Sequence, residues 1–171
     1  MQIAAATQAS TRAQFSELLE RHRGIVLKVA YSYCSHPEDR ADLAQEIAAQ
    51  LWRAFPGYDA ERSFPTWMYR IALNVAISHL RNTSHRRQHA IPFEDVLHDI
   101  ADEGSDPETS EQLRLLHRFI AQQDPFNRAL LLLYLEDRSY REIADVLGIS
   151  EGNIATKISR LKQRMRAVFS S

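Results

Sequence analysis

The chain has 171 residues, enough for one larger domain or two small ones, and its 44% hydrophobic and 25% charged residues match an ordinary globular protein. A formal net charge of −1 leaves no overall basic field, so any affinity for nucleic acid has to come from local clusters. There is no run of about eighteen apolar residues, which excludes an expected membrane span. The start, MQIAAATQAST, lacks the basic and apolar segments of a secretion signal, and the single cysteine, Cys34, excludes an intramolecular disulfide and fits a reducing cytoplasm.

Few glycines and prolines among many Leu, Ala, Arg and Glu predict helix throughout, with no strand pattern. The expected helices of the first half cover about 11–22, 24–35, 37–55 and 64–82. Pro37 and Pro65 each suit a first helical turn. On the third helix Leu43, Ile47, Leu51 and Phe55 form one apolar stripe with Trp52 beside it, and Asp42, Gln45, Glu46 and Gln50 flank it. Such a mixed face can dock on a partner helix or simply be an amphipathic surface. The segment PGYDAERS (56–63) reads as a loop. The fourth helix is apolar on most sides, with Trp67, Met68, Ile71, Ala72, Val75, Ala76 and Leu80, and is expected at the centre of a bundle. Within it Trp67 and Tyr69 alternate with Arg70, Asn74, His79 and Arg81, residue types that stack on unpaired bases and read their edges. Core packing explains Trp67 equally well at this point. Asn74 inside an apolar helix calls for a partner.

Residues 88–108 are acidic, carry Pro92, Gly104 and Pro107, and read as a flexible linker with at most one helical turn at 93–100. Between 91 and 124 nine acids face Arg114 and Arg118. A helix is expected from Asp106–Pro107 to about 123, with Leu113, Leu116 and Ile120 inward. Another runs from Asp124–Pro125 to about 135, with Leu130, Leu133 and Tyr134. The organisation is therefore all-α, with small helical domains at 10–87 and 109–171 joined by the acidic linker at 88–108.

The closing segment RSYREIADVLGISEGNIATKISRLKQRMR (138–166) has the spacing of a helix-turn-helix. Ser139-x-x-Glu142 is a capping-box signature, Gly148 sits where the chain turns, and Ser150 can cap the second helix. Ile154, Ile158, Leu161, Met165 and Val168 form the apolar stripe of that second helix. Lys157, Arg160 and Arg164 fall on another face, where they can meet phosphate. Residues 149–171 hold five bases against one acid.

DLAQEIAAQLWRAFPGYDAERSFPTWMYRIALNVAISHLR resembles region 2 of an extracytoplasmic-function (ECF) bacterial RNA polymerase sigma factor, and RALLLLYLEDRSYREIADVLGISEGNIATKISRLKQRMR resembles its region 4. Region 4 alone is similar to helix-turn-helices of other regulators, but the pair in this order is specific to sigma factors. The resemblance implies a transcription initiation factor, not an enzyme, with no cofactor or metal of its own. Its implied partners are core RNA polymerase (the β′ clamp and the β flap), promoter DNA and an anti-sigma factor.

By position, Asp42, Leu43, Gln45, Glu46, Leu51 and Trp52 would bind the polymerase clamp. Tyr58, Trp67, Tyr69, Arg70, Asn74, Ser78 and Arg81 would lie at the minus-10 element, with Asn74 hydrogen bonding a flipped base. Arg141, Asn153, Ala155, Thr156, Lys157, Ser159, Arg160 and Arg164 would lie at the minus-35 element, Arg141, Lys157 and Arg164 on phosphates. The family's acidic run at the start of the clamp-binding helix is here Asp39, Arg40, Ala41 and Asp42. Ala155 stands where many members carry a base, which predicts a minus-35 sequence unlike the common type. Two rivals frame the reading. An independent helix-turn-helix regulator would need no region-2-like half. A metal enzyme would need more ligands than His85 and His89.

Overall fold

The computed structural model describes residues 2–84 and 107–170. All regular structure among the described residues is helical: α1 (Gln2–Arg21), α2 (Arg23–Tyr33), α3 (Pro37–Ala54), α4 (Phe64–Ser84), α5 (Pro107–Ala121), α6 (Pro125–Leu135), α7 (Tyr140–Leu147) and α8 (Glu151–Phe169). A single 3-10 turn, Phe55–Gly57, closes α3. None of these helices is long and apolar enough to cross a membrane. The acidic segment, the helical turn expected at 93–100, and His85 and His89 lie outside the described residues.

Local signals set most helix boundaries. Pro37 and Pro125 open α3 and α6, where the missing N–H costs nothing. Glu38 and Asp39 sit in the first turn of α3, favourable to its helix dipole. The Asp124 carboxylate accepts the backbone N–H groups of Phe126 and Asn127. One boundary departs from expectation: α1 begins at Gln2 rather than near residue 11. The IAAATQAS stretch has no breaker, and its alanines carry the helix back toward the N-terminus.

In the first half α2, α3 and α4 pack as a three-helix bundle around Val29, Leu43, Ile47, Leu51, Met68, Ala72 and Ala76, all inaccessible to solvent. In the second half α5, α6, α7 and α8 enclose Leu130, Leu133, Ile143 and Ile154. Two positions assigned to apolar interiors are exposed instead. Leu113 is 42% accessible and Val168 is 41% accessible.

The two halves also meet: the buried side chains of both belong to one continuous cluster. The reason lies in α6, PFNRALLLLYL, whose last six residues, LLLLYL, leave it no polar side there. A helix of that kind needs cover all round. It obtains it by packing on α7 and α8 of its own half and on α2 and α4 of the other.

Candidate partner and nucleic-acid interfaces

The first candidate surface is α3. Asp42, Gln45, Glu46 and Trp52 are exposed on it, and Gln50 donates to Glu46 at 3.0 Å. Leu43 and Leu51 are completely buried, so they hold the helix in place and do not face outward. Arg40, the residue that breaks the acidic run, is 8% accessible. Its Nε donates to the Cys34 carbonyl at 2.9 Å, at the end of α2, and its guanidinium lies 4.0 Å from the Tyr31 ring centre. The positive charge is thereby used inside the bundle, and Asp42 and Glu46 keep the outer face acidic. Its neighbour Cys34 is buried, as a structural thiol should be.

The second surface joins α4 to the loop before it. Met68, Ala72, Leu73 and Ala76 point into the bundle. Helical periodicity then turns Arg70, Asn74, Ser78 and Arg81 outward, and all four are exposed. Asn74 therefore sits in a polar stripe, not among apolar side chains as the sequence pattern implied. Beside the stripe stands an aromatic cluster. Tyr58 stacks on Phe55 at 5.9 Å with 17° between planes, and lies 5.0 Å from Trp67 and 5.3 Å from Phe64. The Tyr58 hydroxyl donates to the Arg62 carbonyl at 2.7 Å, pinning the loop. Burial, and then the nearby Asp59, push its phenol pKa upward, so it stays a neutral donor. Trp67 is half-buried and is thus both core and surface. An open groove of about 820 Å³ between α1 and this loop, with Gln8, Gln14, Trp52 and Tyr58 on its walls, runs on toward α3.

Tyr69 is the exception in this group. It is 1% accessible, and the Arg138 guanidinium lies 5.2 Å from its ring centre. A residue expected at a DNA surface is covered by the other half of the chain. Its phenol pKa is raised, chiefly by burial.

The third surface is the helix-turn-helix. Ser139 and Glu142 form a complete capping box: the Glu142 N–H donates to Ser139 Oγ at 3.2 Å, and the Ser139 N–H donates to the Glu142 carboxylate at 2.9 Å. Those bonds hold the Glu142 pKa below its ordinary value. Gly148 ends α7 with φ of 72°, a left-handed turn that Gly adopts freely. Ser150 caps α8 by accepting from the Asn153 N–H at 3.2 Å. On α8, Ile154, Ile158 and Leu161 are buried, while Asn153, Thr156, Lys157, Ser159, Arg160 and Arg164 are exposed. Arg141 is exposed on α7, and Ala155 is half-buried.

Two of the expected phosphate contacts are engaged within the domain. Lys157 lies 5.4 Å over Phe126 and Arg164 lies 6.0 Å over Phe119. The Thr156 hydroxyl turns back to donate to the Gly152 carbonyl at 3.0 Å. Arg160 and Arg141 are the more outward pair.

Comparison with known proteins matches these surfaces to a family. The pattern of sigma-70 region 2 fits residues 18–86, and that of sigma-70 region 4 fits residues 114–165. ECF RNA polymerase sigma factor SigE of Mycolicibacterium smegmatis is 28% identical over 156 residues, 89% of this chain and 60% of that protein. SigW of Bacillus subtilis is 24% identical over 164 residues, 89% of this chain and 87% of that protein. The ECF sigma-E factor of Haemophilus influenzae is 27% identical over 170 residues, covering 91% and 87%. The fold is shared with RpoE of Bartonella quintana in complex with the anti-sigma factor NepR, at a TM-score of 0.72, 19% identity and coverage of 92% and 97%. It is also shared with CnrH in complex with the cytosolic domain of CnrY, at a TM-score of 0.66, 22% identity and coverage of 98% and 96%. A region 2 that carries a polar stripe beside stacked aromatics and a region 4 built as a capped helix-turn-helix thus occur in one all-helical chain, which belongs to the ECF sigma factors, the non-enzymatic factors that direct RNA polymerase to promoters.

Proposed function

We propose that the three surfaces divide the work of promoter opening. The outer face of α3, with Asp42, Gln45, Glu46 and Trp52, docks on the β′ clamp of core polymerase, and region 4 meets the β flap. The α4 stripe of Arg70, Asn74, Ser78 and Arg81, with the Tyr58–Trp67 cluster, receives the minus-10 element. The exposed face of α8, with Arg141 of α7, reads the minus-35 element. The observation that carries the reading is the α4 stripe. An exposed amide between two arginines on α4, with a stacked tyrosine in the loop before it, supplies an edge reader, phosphate contacts and a stacking partner. Flipping a base costs a few kcal/mol, and stacking returns about 1–3 kcal/mol per base. Such a surface traps a transient opening without hydrolysing a nucleotide.

The half-buried Ala155 leaves the α8 face without a base-gripping cation at that position, which favours a minus-35 sequence read by smaller contacts. A regulator of the anti-sigma type fits the exposed Leu27 and Tyr31 of α2 and Leu135 of α6, apolar side chains adjoining the meeting of the two halves. Work on the polymerase places the factor in the cytoplasm.

In vitro transcription with core polymerase on a genomic promoter library tests the proposal. Discrete new start sites that depend on this chain are expected. The independent-regulator reading predicts a strong, salt-sensitive shift of duplex DNA by the chain alone and no new starts.

A further inference from the structure

The groove between α1 and the loop before α4 has a volume of about 820 Å³, the size of a small-molecule cleft. Its floor is Phe55, 6% accessible, whose ring packs on Phe15 of α1 at 5.1 Å. Trp52, 39% accessible, and Tyr58, stacked on Phe55, add two further rings. Phe15 holds the Trp52 indole as well, at 5.1 Å. The rings are thus fixed by one another before anything enters.

The wall across from the rings is α1, which contributes Gln8, Thr11 and Gln14. Steps of three residues bring these to one side of the helix. Gln8 and Gln14 are exposed, and their carboxamides meet no hydrogen-bonding partner among the described residues. Gln50 and Gln123, by contrast, donate to Glu46 and to the Phe119 carbonyl. The region 2 pattern begins at residue 18, so this wall comes from sequence outside it.

The lining selects its occupant by chemistry. It holds no charged side chain, and so suits neither a phosphate nor a carboxylate. Rings facing neutral amides suit a flat, uncharged ligand with donors and acceptors along its edge, which describes a nucleobase. An apolar side chain from a protein partner would cover the two carboxamides and leave them unpaired, which costs free energy. A base pairs with them instead. A glutamine amide fits adenine in particular, donating to N7 and accepting from N6. Tyr58 lines the groove and also belongs to the aromatic cluster beside the α4 stripe, so the groove continues the minus-10 surface.

We propose that the groove holds a second unpaired base of the displaced strand, next to the one at the α4 stripe, and that Gln8 and Gln14 select adenine there. The proposal rests on the promoter-binding reading above and adds one recognition position to it. It gives α1 a part in reading DNA in addition to bracing the bundle.

The test uses holoenzyme formed from core polymerase and the full chain. Its template is a barcoded promoter library randomised across the minus-10 element and the base pairs flanking it. Asn74→Ala marks the position read at the α4 stripe, as the one whose preference it removes. The parent should enrich adenine at a position beside that one. Gln8→Ala combined with Gln14→Ala should lower this enrichment by about fivefold or more, the discrimination of one amide–adenine pair, and leave the other preferences in place. Both glutamines are exposed and Ala favours helix, so the fold is retained, which circular dichroism checks. Absence of any preference beside the Asn74 position overturns the proposal, as does an adenine preference that survives in the double variant. A uniform fall in transcription with every preference intact also overturns it, and assigns the wall to polymerase docking. Absence of any start that depends on the chain counts against the promoter reading itself, and this proposal falls with it.

Discussion

The two halves present their working side chains in opposite ways. Region 2 turns them away from its core: Arg70, Asn74, Ser78 and Arg81 share one exposed stripe, and the residues behind them are buried. Region 4 draws two of its expected DNA contacts back, laying Lys157 and Arg164 over Phe126 and Phe119. Under the proposed reading, region 2 therefore presents its reader outward before DNA arrives. Region 4 has its frame assembled, through the capping box, Gly148 and the Ser150 cap, but some of its cations must leave aromatic faces to reach phosphate. Cation–aromatic contacts at exposed sites are worth about 0.5–1 kcal/mol, so under the proposed reading that release subtracts from minus-35 affinity.

Asn74→Ala breaks the contrast most sharply. Loss of an edge-reading amide worth about 1–3 kcal/mol predicts a fall in minus-10 opening of about tenfold to a hundredfold. Permanganate footprinting of the holoenzyme on its promoter reads this, and thermal stability should hardly move because the residue is exposed. Unchanged opening would remove α4 from the account.

Arg40→Ala acts on region 2's scaffold instead. It strips the Cys34 carbonyl of a charged donor and leaves a gap beside Tyr31, and should cost about 2 kcal/mol. Urea denaturation checks it. If stability is retained and only polymerase binding changes, Arg40 belongs to the docking face after all.

Gly148→Ala acts on region 4's frame. An added Cβ meets nothing within 4 Å, so the whole penalty is the strain of φ at 72°, about 1–2 kcal/mol. Duplex minus-35 binding should fall along with melting temperature. A clash-free site with no loss would argue that the turn shifts freely.

Ser139→Ala is the mildest, at about 1 kcal/mol for a lost cap, and its effect should vary with pH. The Glu142 pKa is depressed in the fold relative to 4.5. The linked stability is therefore complete above about 4.5 and is lost as pH falls through the lower folded value. The difference between variant and parent should narrow in acid by the part the Ser139 hydroxyl gives to the Glu142 carboxylate, while the part from capping the Glu142 N–H persists. A difference that stays constant down the acid limb would show that the bond from the Ser139 hydroxyl to the carboxylate contributes nothing.

What the sequence made legible follows from range. The capping box, the Gly148 turn, the Pro-opened helices and the α3 stripe are written within a few residues, and each appears as read. Tyr69 was misjudged because its cover, Arg138, arrives from another region of the chain. The burial of Arg40 was not legible, because its acceptor is a backbone carbonyl at a helix end, which no side-chain pattern reveals. Leu113 and Val168 have the right period and are still exposed, because period alone does not show which positions of a face another helix covers. The packing of the halves did leave a trace: the LLLLYL run of α6 has no polar side to give to solvent. Asn74 was the reverse case. Its place in an apolar helix drew attention for the wrong reason, and the turned-out stripe gives the better one.

The loop between α3 and α4 carries a consequence for speed. Tyr58 is clamped by its hydroxyl to Arg62 and sandwiched among Phe55, Phe64 and Trp67. Ordering such a side chain at the moment of binding costs about 0.5–1.5 kcal/mol. Here that loss of freedom happens once, during folding. Under the proposed reading, a base that leaves the duplex for an instant meets a ring already at rest, and capture can keep pace with an opening too brief for a mobile loop to follow.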